Sequence, residues 1–261
     1  VYAQRERWHD TAEVASLTDR DLHVDGQGNF SLLLGGNRPG QGNWLPLQED
    51  ARTIWLRQFH DDIHEERAGS FVIENLDDAA PLPELDPVLL TERLALGGKK
   101  MRSALGAMRH AADNELVRGN HVRTWSEMHG GAVFTSSDIW YQRGAWSLAE
   151  DEVLVLEGPW VESQFFNIVL YSRFLNSLDH EHRTVSITGK HLLRDQNDMY
   201  RIVIGRHPPP SRHRVGNWLD TEGRAAGMFA LRWVHPQTEP ELPTCRVCKR
   251  AELAGDARPS G

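Results

Sequence analysis

Short apolar runs separated by polar turn residues recur along most of this chain, a pattern typical of β-strands joined by tight turns. Before residue 80 they predict strands over residues 30–34, 53–59 and 70–73. After residue 138 they predict strands over residues 139–141, 152–157, 164–174, 184–188, 199–204 and 228–234. The chain is therefore predicted to be mainly β, with its strands in two groups.

Between the two groups, the spacing of apolar residues changes to that of an α-helix. Asp86 is a suitable N-cap, and Pro87 follows at the first helical position. Gly97-Gly98 interrupts the apolar pattern, which then resumes on one face at Met101, Leu105, Met108 and Ala112. We therefore expect a pair of helices over residues 86–118.

These elements divide the 261-residue chain into four predicted segments. A β-rich unit covers residues 1–80, a helical connector 81–125, a second β-sandwich unit 126–250 and a disordered tail 251–261. The tail consists of small and polar residues, which cannot bury enough apolar surface to stay ordered.

One sequence motif occurs twice, as Gly42-Asn43-Trp44-Leu45 and as Gly216-Asn217-Trp218-Leu219. Four further features keep the same order around both copies: a turn, a strand closed by Gly, a Pro-containing loop and a later Leu-Arg pair. In this alignment Asp25 corresponds to Asp198, and Arg57 to Arg232. We interpret this order as two copies of one module. The first copy is expected to be truncated, because only the second has strands upstream, from residue 139 on.

The residues of the motif suit two roles. Gly permits unusual backbone angles, Asn can satisfy backbone groups in a loop, and Trp buries a large ring. The favoured interpretation is a loop that fills the core with an indole. In the alternative, the motifs line a ligand pocket, and the candidate binding residues are then Trp218, Asn217, Arg232, Trp44 and Arg57.

Charge and composition exclude some classes of function. The net charge is −8 and the pI about 5.9, so neither nucleic acid nor a membrane surface is an expected partner. The apolar runs are too short to span a bilayer. The two cysteines cannot form a disulfide framework, and a cytoplasmic location is predicted. Nine Trp and eight Phe favour cores or pockets built from aromatic rings.

Three clusters carry groups that could perform chemistry. His60, Asp62 and His64 would share one face of an extended segment and could hold a transition metal, although a solvated turn is the favoured interpretation. Asp179-His180-Glu181-His182-Arg183 alternates similarly and is also expected to be a polar turn. Cys245 and Cys248 form a CxxC pair without a following helix, which favours chance placement over a redox site. Arg206-His207 and Arg212-His213-Arg214 flank three prolines in a small basic loop.

The second copy resembles a bacterial family known as domain of unknown function 1214. The resemblance rests on Phe165–Arg173, Ser177-Leu178-Asp179, Gly216–Thr221 and Phe229–Trp233, covers about residues 138–248, and extends more weakly over residues 20–76. It implies a jelly-roll-like β-sandwich, often paired with a second β-rich domain. It implies no reaction and no catalytic residues.

The sequence therefore leaves three functions open. The favoured one is a ligand-binding or non-catalytic β-sandwich with an aromatic-lined pocket, whose partner is a small molecule. The alternative is a metal-dependent enzyme that uses the His60, Asp62 and His64 cluster or the turn with His180 and His182. A third interpretation is an assembly module, in which the sandwich forms oligomers. The sequence leaves the cofactor unknown.

Overall fold

The computed structural model describes residues 1–4, 11–76, 86–126, 134–210 and 216–254. These residues form one α-helix, α1 (Pro87–Arg118), a short 3-10 helix (Arg250–Ala254) and a set of strands. The first strands are β1 (Tyr2–Gln4), β2 (Thr11–Glu13), β3 (Leu32–Leu34), β4 (Asn43–Leu45), β5 (Ala51–Thr53), β6 (His121–Thr124) and β7 (Ile139–Ser147). The others are β8 (Glu152–Pro159), β9 (Phe165–Tyr171), β10 (Ser186–Thr188), β11 (Met199–Gly205), β12 (Asn217–Asp220), β13 (Ala226–Val234) and β14 (Thr244–Lys249).

By internal contacts the chain divides into two compact units. Unit 1 consists of Val1–Arg57 and Trp125–Tyr141, and unit 2 of Gln58–Thr124 and Gln142–Gly261. Unit 1 contains a three-stranded antiparallel sheet of order β2-β1-β5 and a parallel pair, β3 and β4. Unit 2 contains a five-stranded sheet of order β10-β9-β13-β7-β6 and a four-stranded sheet of order β12-β11-β8-β14. The prediction of a mainly β chain is therefore confirmed.

The two sheets of unit 2 enclose its core. In β9 and β11, alternate residues turn a buried side chain toward the opposite sheet, as the two-residue period of a strand predicts. The buried set of the five-stranded sheet includes Phe166, Ile168 and Leu170, and that of the four-stranded sheet includes Tyr200, Ile202 and Ile204. The ring centroids of Phe166 and Tyr200, from different sheets, are 6.3 Å apart. These faces are therefore the inner faces of two packed layers.

The helix differs from the predicted pair. Residues 87–118 form one continuous helix, with Asp86 at its N-cap accepting a hydrogen bond from the Val88 N–H at 2.9 Å. The glycine pair lies within this helix because strong helix formers surround it, and two glycines cost only about 2 kcal/mol there. Among the described residues, no helix is long and apolar enough to cross a membrane.

A buried ion cluster fixes the C-terminal end of α1 on unit 2. The carboxylate of Glu115, of which 1% is exposed, lies 2.6 Å from Arg143 Nη2, 2.7 Å from Arg123 Nη2 and 2.6 Å from His121 Nε2. Ala112, from the preceding turn, packs against Ala145 and Met228 of the five-stranded sheet. Only this end of the helix is buried, at Ala112 and Glu115.

The N-terminal strand predictions need correction. No regular strand spans residues 54–59 or 70–73, and β5 ends at Thr53. The residues that follow make side-chain contacts instead: the Trp55 ring stacks on Phe134 at 5.0 Å, and Arg57 donates hydrogen bonds to the Tyr2 hydroxyl at 2.9 Å and to the Phe134 carbonyl. The tail was predicted to be disordered from residue 251 on. Residues 255–261 of this tail lie outside the described part of the chain.

The two Gly-Asn-Trp-Leu motifs occupy matching parallel pairs of strands. Leu32 pairs with Asn43 in unit 1, and Ile202 pairs with Asn217 in unit 2. Each glycine that precedes the Asn has a positive φ, +94° at Gly42 and +59° at Gly216, which explains the choice of glycine.

Each Asn side chain makes the same three hydrogen bonds to backbone. The amide of Asn43 accepts from the His23 N–H at 2.7 Å and donates to the carbonyls of His23 and Ser31 at 2.8 and 3.0 Å. The amide of Asn217 accepts from the Leu193 N–H at 2.8 Å and donates to the carbonyls of Leu193 and Arg201 at 2.7 and 3.1 Å.

The turn before each parallel pair also matches, but with a different partner from the predicted one. Asp25 accepts the N–H groups of Gln27 and Asn29, and Asp195 accepts those of Asn197 and Met199. The turn at Asp25 therefore has the hydrogen bonds of the turn at Asp195, whereas the sequence alignment had paired Asp25 with Asp198. These N–H groups lower the pKa of the Asp25 carboxyl, because they stabilise its charged form.

Candidate functional site

The candidate site lies on the outer face of the five-stranded sheet of unit 2. Because Phe166, Ile168 and Leu170 point inward, the alternate residues Asn167, Val169 and Tyr171 point outward. Cross-strand pairing places further residues on this face: Thr188 and Arg232 beside Asn167, Ala230 beside Val169 and Met228 beside Tyr171.

Two other parts of unit 2 flank this outer face at opposite ends of β9. At one end, α1 packs against Met228, and Tyr171 contacts the same cluster. At the other end, the Phe59 ring lies 5.1 Å from Phe165, and the Thr188 hydroxyl donates to the Asp61 carbonyl at 2.7 Å. The surface around Asn167, Val169, Ala230 and Arg232 therefore lies between two walls.

The Arg232 side chain extends across this surface to Tyr171, which belongs to the cluster beside α1. Its Nη2 donates to the Tyr171 hydroxyl at 2.6 Å, and its guanidinium carbon lies 5.7 Å from the centre of the Tyr171 ring. A positive charge is therefore held over apolar sheet residues, in surroundings where an ionic interaction is stronger than in water.

Asn167 presents an acceptor on the same surface. Its Oδ1 is buried and has no hydrogen-bond partner in the described structure. A buried acceptor without a partner costs about 1 to 3 kcal/mol, and such groups in native proteins call for an explanation. Asn167 stands directly opposite Arg232 on the neighbouring strand, so the acceptor and the cation belong to one patch.

The predicted pocket residues of the second copy lie on two different sheets. Trp218 packs on the outer face of the four-stranded sheet, against Val153, Val155 and Leu253. Asn217 is 2% exposed, and three backbone groups engage its amide. Since Arg232 is on the outer face of the opposite layer, the structure does not bring these three residues together.

The predicted residues of the first copy lie in unit 1 and contact protein groups. The Trp44 indole donates to the Gly35 carbonyl at 2.8 Å, and Arg38 lies over its ring. Arg57 bonds to Tyr2 and Phe134, and its guanidinium carbon lies 5.7 Å from the Tyr2 ring centre. Burial raises the pKa of the Tyr2 phenol, while Arg57 opposes that shift.

The predicted metal ligands are not brought together. The segment is a turn, in which the Asp62 carbonyl accepts the N–H of Glu66, and not the extended segment that the metal alternative requires. The Asp62 Oδ2 lies 3.2 Å from His191 Nε2 and 3.7 Å from Lys190 Nζ. The His60 Nδ1 lies 3.5 Å from Glu66 Oε2. The His64 N–H lowers the pKa of the Asp62 carboxyl. Among the described residues, no three His, Cys, Asp or Glu side chains could hold a metal ion.

The other chemical candidates are also placed. His182 is exposed and contacts Asp179 at 3.0 Å in a turn. Cys245 and Cys248 lie on β14, paired with Leu156 and Val153, so they occupy opposite faces. Burial raises the pKa of the Cys245 thiol to about 11, which disfavours a reactive thiolate. Arg206 donates to the Leu148 carbonyl at 3.2 Å, and Arg212-His213-Arg214 lies outside the described residues.

Sequence reasoning identified Arg232 but missed Asn167 and Tyr171. One signal was available: Asn167 is the single polar residue in the run Phe165–Tyr171 apart from the tyrosine hydroxyl. A polar residue within a buried strand must find a partner or a function.

Comparisons with known proteins place unit 2 near an uncharacterised family. The model of the family described as a protein of unknown function (DUF1214) matches residues 148–238, within the region of the predicted resemblance. No curated protein matches the chain. The match does not extend to residues 20–76, where the sequence predicted a weaker resemblance.

Two solved structures are similar to the chain. An uncharacterized protein from Burkholderia cenocepacia has a TM-score of 0.84 at 23% sequence identity, covering 96% of this chain and 69% of that chain. This likeness shows a shared fold. A protein from Vibrio parahaemolyticus reaches a TM-score of 0.34 at 15% identity, covering 43% of this chain and 31% of that chain, a level that supports no inference.

Proposed function

We propose that this chain is a ligand-binding β-sandwich protein whose ligand occupies the outer face of the five-stranded sheet, at Asn167 and Arg232. The observation that carries the proposal is the buried Asn167 Oδ1 without a hydrogen-bond partner, directly across from a cationic side chain. A ligand that donates a hydrogen bond to this oxygen would remove its desolvation cost.

The surroundings define the class of ligand. Arg232 favours a carboxylate or another anionic group, and Asn167 Oδ1 requires a hydroxyl or N–H donor. Val169, the partly exposed residue next to them on the same face, supplies an apolar contact beside these two groups. A small hydroxylated aromatic acid combines all three properties.

Thermal unfolding with three probes tests this function. We expect 4-hydroxybenzoate to raise Tm more than benzoate, which lacks the donor, or phenol, which lacks the charge. At about 100 times Kd, binding adds ~2.7 kcal/mol of stability. The shift should vanish in Asn167→Leu and in Arg232→Leu.

A matched variant controls for the substitution itself. Asn197→Leu changes an exposed turn residue at the four-stranded sheet and should keep the full shift. If none of the three probes moves Tm, or if Asn167→Leu responds as the natural chain does, the proposed site is wrong.

We also propose that both units contain the same module, a jelly-roll-like sandwich in unit 2 and its counterpart strands in unit 1. Three pairs of features support this: the Asn43 and Asn217 amides, the Asp25 and Asp195 turns, and the tyrosine-arginine pairs. The tyrosine-arginine pairs are Tyr2 with Arg57 and Tyr171 with Arg232. In both, the guanidinium carbon lies 5.7 Å from the centre of the tyrosine ring, and a guanidinium N–H donates to the tyrosine hydroxyl.

A further inference from the structure

One side of helix α1 carries an apolar stripe, of which its own unit covers only the C-terminal end. Other exposed apolar residues of the helix, including Val88, Leu89 and Leu96, lie on its other sides. The covered part includes Ala112 and Leu116, which belong to the cluster with Ala145 and Met228. Toward the N-terminus the same side of the helix continues through Leu90, Leu94, Gly97, Met101 and Leu105, at intervals of three or four residues.

This part of the stripe is open to solvent. The exposed fractions are 38% for Leu90, 68% for Leu94, 67% for Met101 and 53% for Leu105. A continuous row of exposed large apolar side chains marks an interaction surface, whereas single exposed apolar residues are common.

The glycine pair lies at the middle of the stripe. A Cβ at Gly97 would meet nothing within 4 Å, and one at Gly98 would meet only Arg102 Nη1, at 3.9 Å. Each glycine costs a helix about 1 kcal/mol relative to alanine, and no contact within the described chain requires their small size. A second backbone that approaches closely at this point would require it.

The exposed part of the stripe is symmetric about the point between the two glycines. Leu94 lies three residues before Gly97, and Met101 lies three residues after Gly98; Leu90 and Leu105 each lie seven residues away. A two-fold interface needs this self-complementarity, since each residue of one copy contacts its counterpart position in the other.

We propose that a second copy of this chain docks on α1, with the two helices antiparallel and crossing at Gly97-Gly98. Leu94 of each copy then packs against Met101 of the other, and Leu90 against Leu105. In this arrangement the exposed stripes of the two helices face each other, and the glycines lie at the crossing point.

The charges beside the stripe predict the salt dependence of this dimer. Arg93, Lys100 and Arg102 flank the apolar residues, so like charges approach each other in the antiparallel pair. Salt screens this repulsion, and dimerisation should tighten as ionic strength rises. A basic helix bound to an acidic surface of another molecule would respond in the opposite direction.

Sedimentation of the whole chain over a concentration series measures the association. We expect a dimer whose Kd rises about tenfold or more in Leu94→Glu and in Met101→Glu, because each substitution places two charges in the apolar contact. Leu96→Glu is the matched control: Leu96 is 52% exposed on the opposite side of the same helix, and its variant should dimerise normally. Circular dichroism checks that α1 stays helical.

Glycine substitutions give a second test that folding defects cannot mimic. Gly97→Leu should abolish the dimer while raising helix propensity. Gly106→Leu adds the same side chain where a Cβ also meets nothing within 4 Å, but on the opposite side, and should leave the dimer intact.

A cross-link distinguishes this pairing from other dimers. In a Cys245→Ser, Cys248→Ser background, Gly98→Cys should form a disulfide between two copies under mild oxidation, and Ser103→Cys should not. A monomer at every concentration and salt, or a dimer that Leu94→Glu and Gly97→Leu leave unchanged, would overturn the proposal.

Discussion

Asn217 and Asn167 are amides of the same type in unit 2, yet they have opposite roles. Three backbone groups contact the Asn217 amide, which joins β11, β12 and the loop at Leu193. Asn167 Oδ1 is buried without a partner. A residue that completes backbone hydrogen bonds contributes to stability, whereas a residue whose acceptor is unsatisfied lowers it.

Leucine substitution should separate these roles. We expect Asn217→Leu to lower the free energy of unfolding by about 3 to 5 kcal/mol, because several buried backbone groups lose their partner. Asn167→Leu should leave that free energy unchanged or raise it by about 1 kcal/mol, since it removes an unsatisfied acceptor. Urea unfolding measures both, and a large loss of stability in Asn167→Leu would refute the assignment.

At the scale of elements, α1 depends on the carboxylate of Glu115. Its three basic neighbours, His121, Arg123 and Arg143, come from β6 and β7, so one buried carboxylate joins the helix to two strands. Removing one member of a buried ion cluster leaves the other charges uncompensated, which is more costly than losing an exposed pair.

Neutralising this carboxylate should therefore be strongly destabilising. We expect Glu115→Gln to reduce the free energy of unfolding by about 3 to 5 kcal/mol. Asp113→Asn is the control on the same helix: its pairs with Arg109 and Arg173 are largely exposed, and its loss should cost at most about 1 kcal/mol. Equal effects of the two substitutions in thermal unfolding would contradict the prediction.

Six strands of unit 2, β7 to β11 and β13, could be predicted from sequence because each contains enough alternating or continuous apolar residues to fill an inner face. Strands β6, β12 and β14 lack such a run and were not predicted. The prediction for residues 152–157 corresponds to β8, and that for 199–204 to β11. The segment 53–59 has the same local pattern, but its residues bond to Tyr2 and Phe134, which are distant in sequence. Local periodicity carries no information on such contacts. It also does not show that Gly97-Gly98 lies within one continuous helix.

The candidate site shows the same limit. Arg232 was predicted from its place in the Leu-Arg pair that follows the second Gly-Asn-Trp-Leu motif, a pattern visible in the sequence. Its pairing with Asn167 depends on the register between β9 and β13, and its contact with Tyr171 depends on where the side chain lies across that register. Neither is set by spacing along the chain, so the site could be assembled only from the folded structure.

At the scale of the whole molecule, the matched amides provide a probe for each compact unit. Asn43 and Asn217 make the same three bonds, one in unit 1 and the other in unit 2. Each unit has its own sheets, and a unit with its own core can unfold as a cooperative element. A local defect should then affect the unit that contains it.

We therefore expect two transitions in thermal unfolding, each sensitive to one amide. Asn43→Leu should lower the transition of unit 1, and Asn217→Leu that of unit 2, each by several degrees for a loss of about 3 kcal/mol. Trp55 reports on unit 1 and Trp233 on unit 2, so single-Trp variants assign the transitions. If both substitutions shifted one common transition equally, the units would be a single cooperative body, and the two amides would stabilise one fold rather than two.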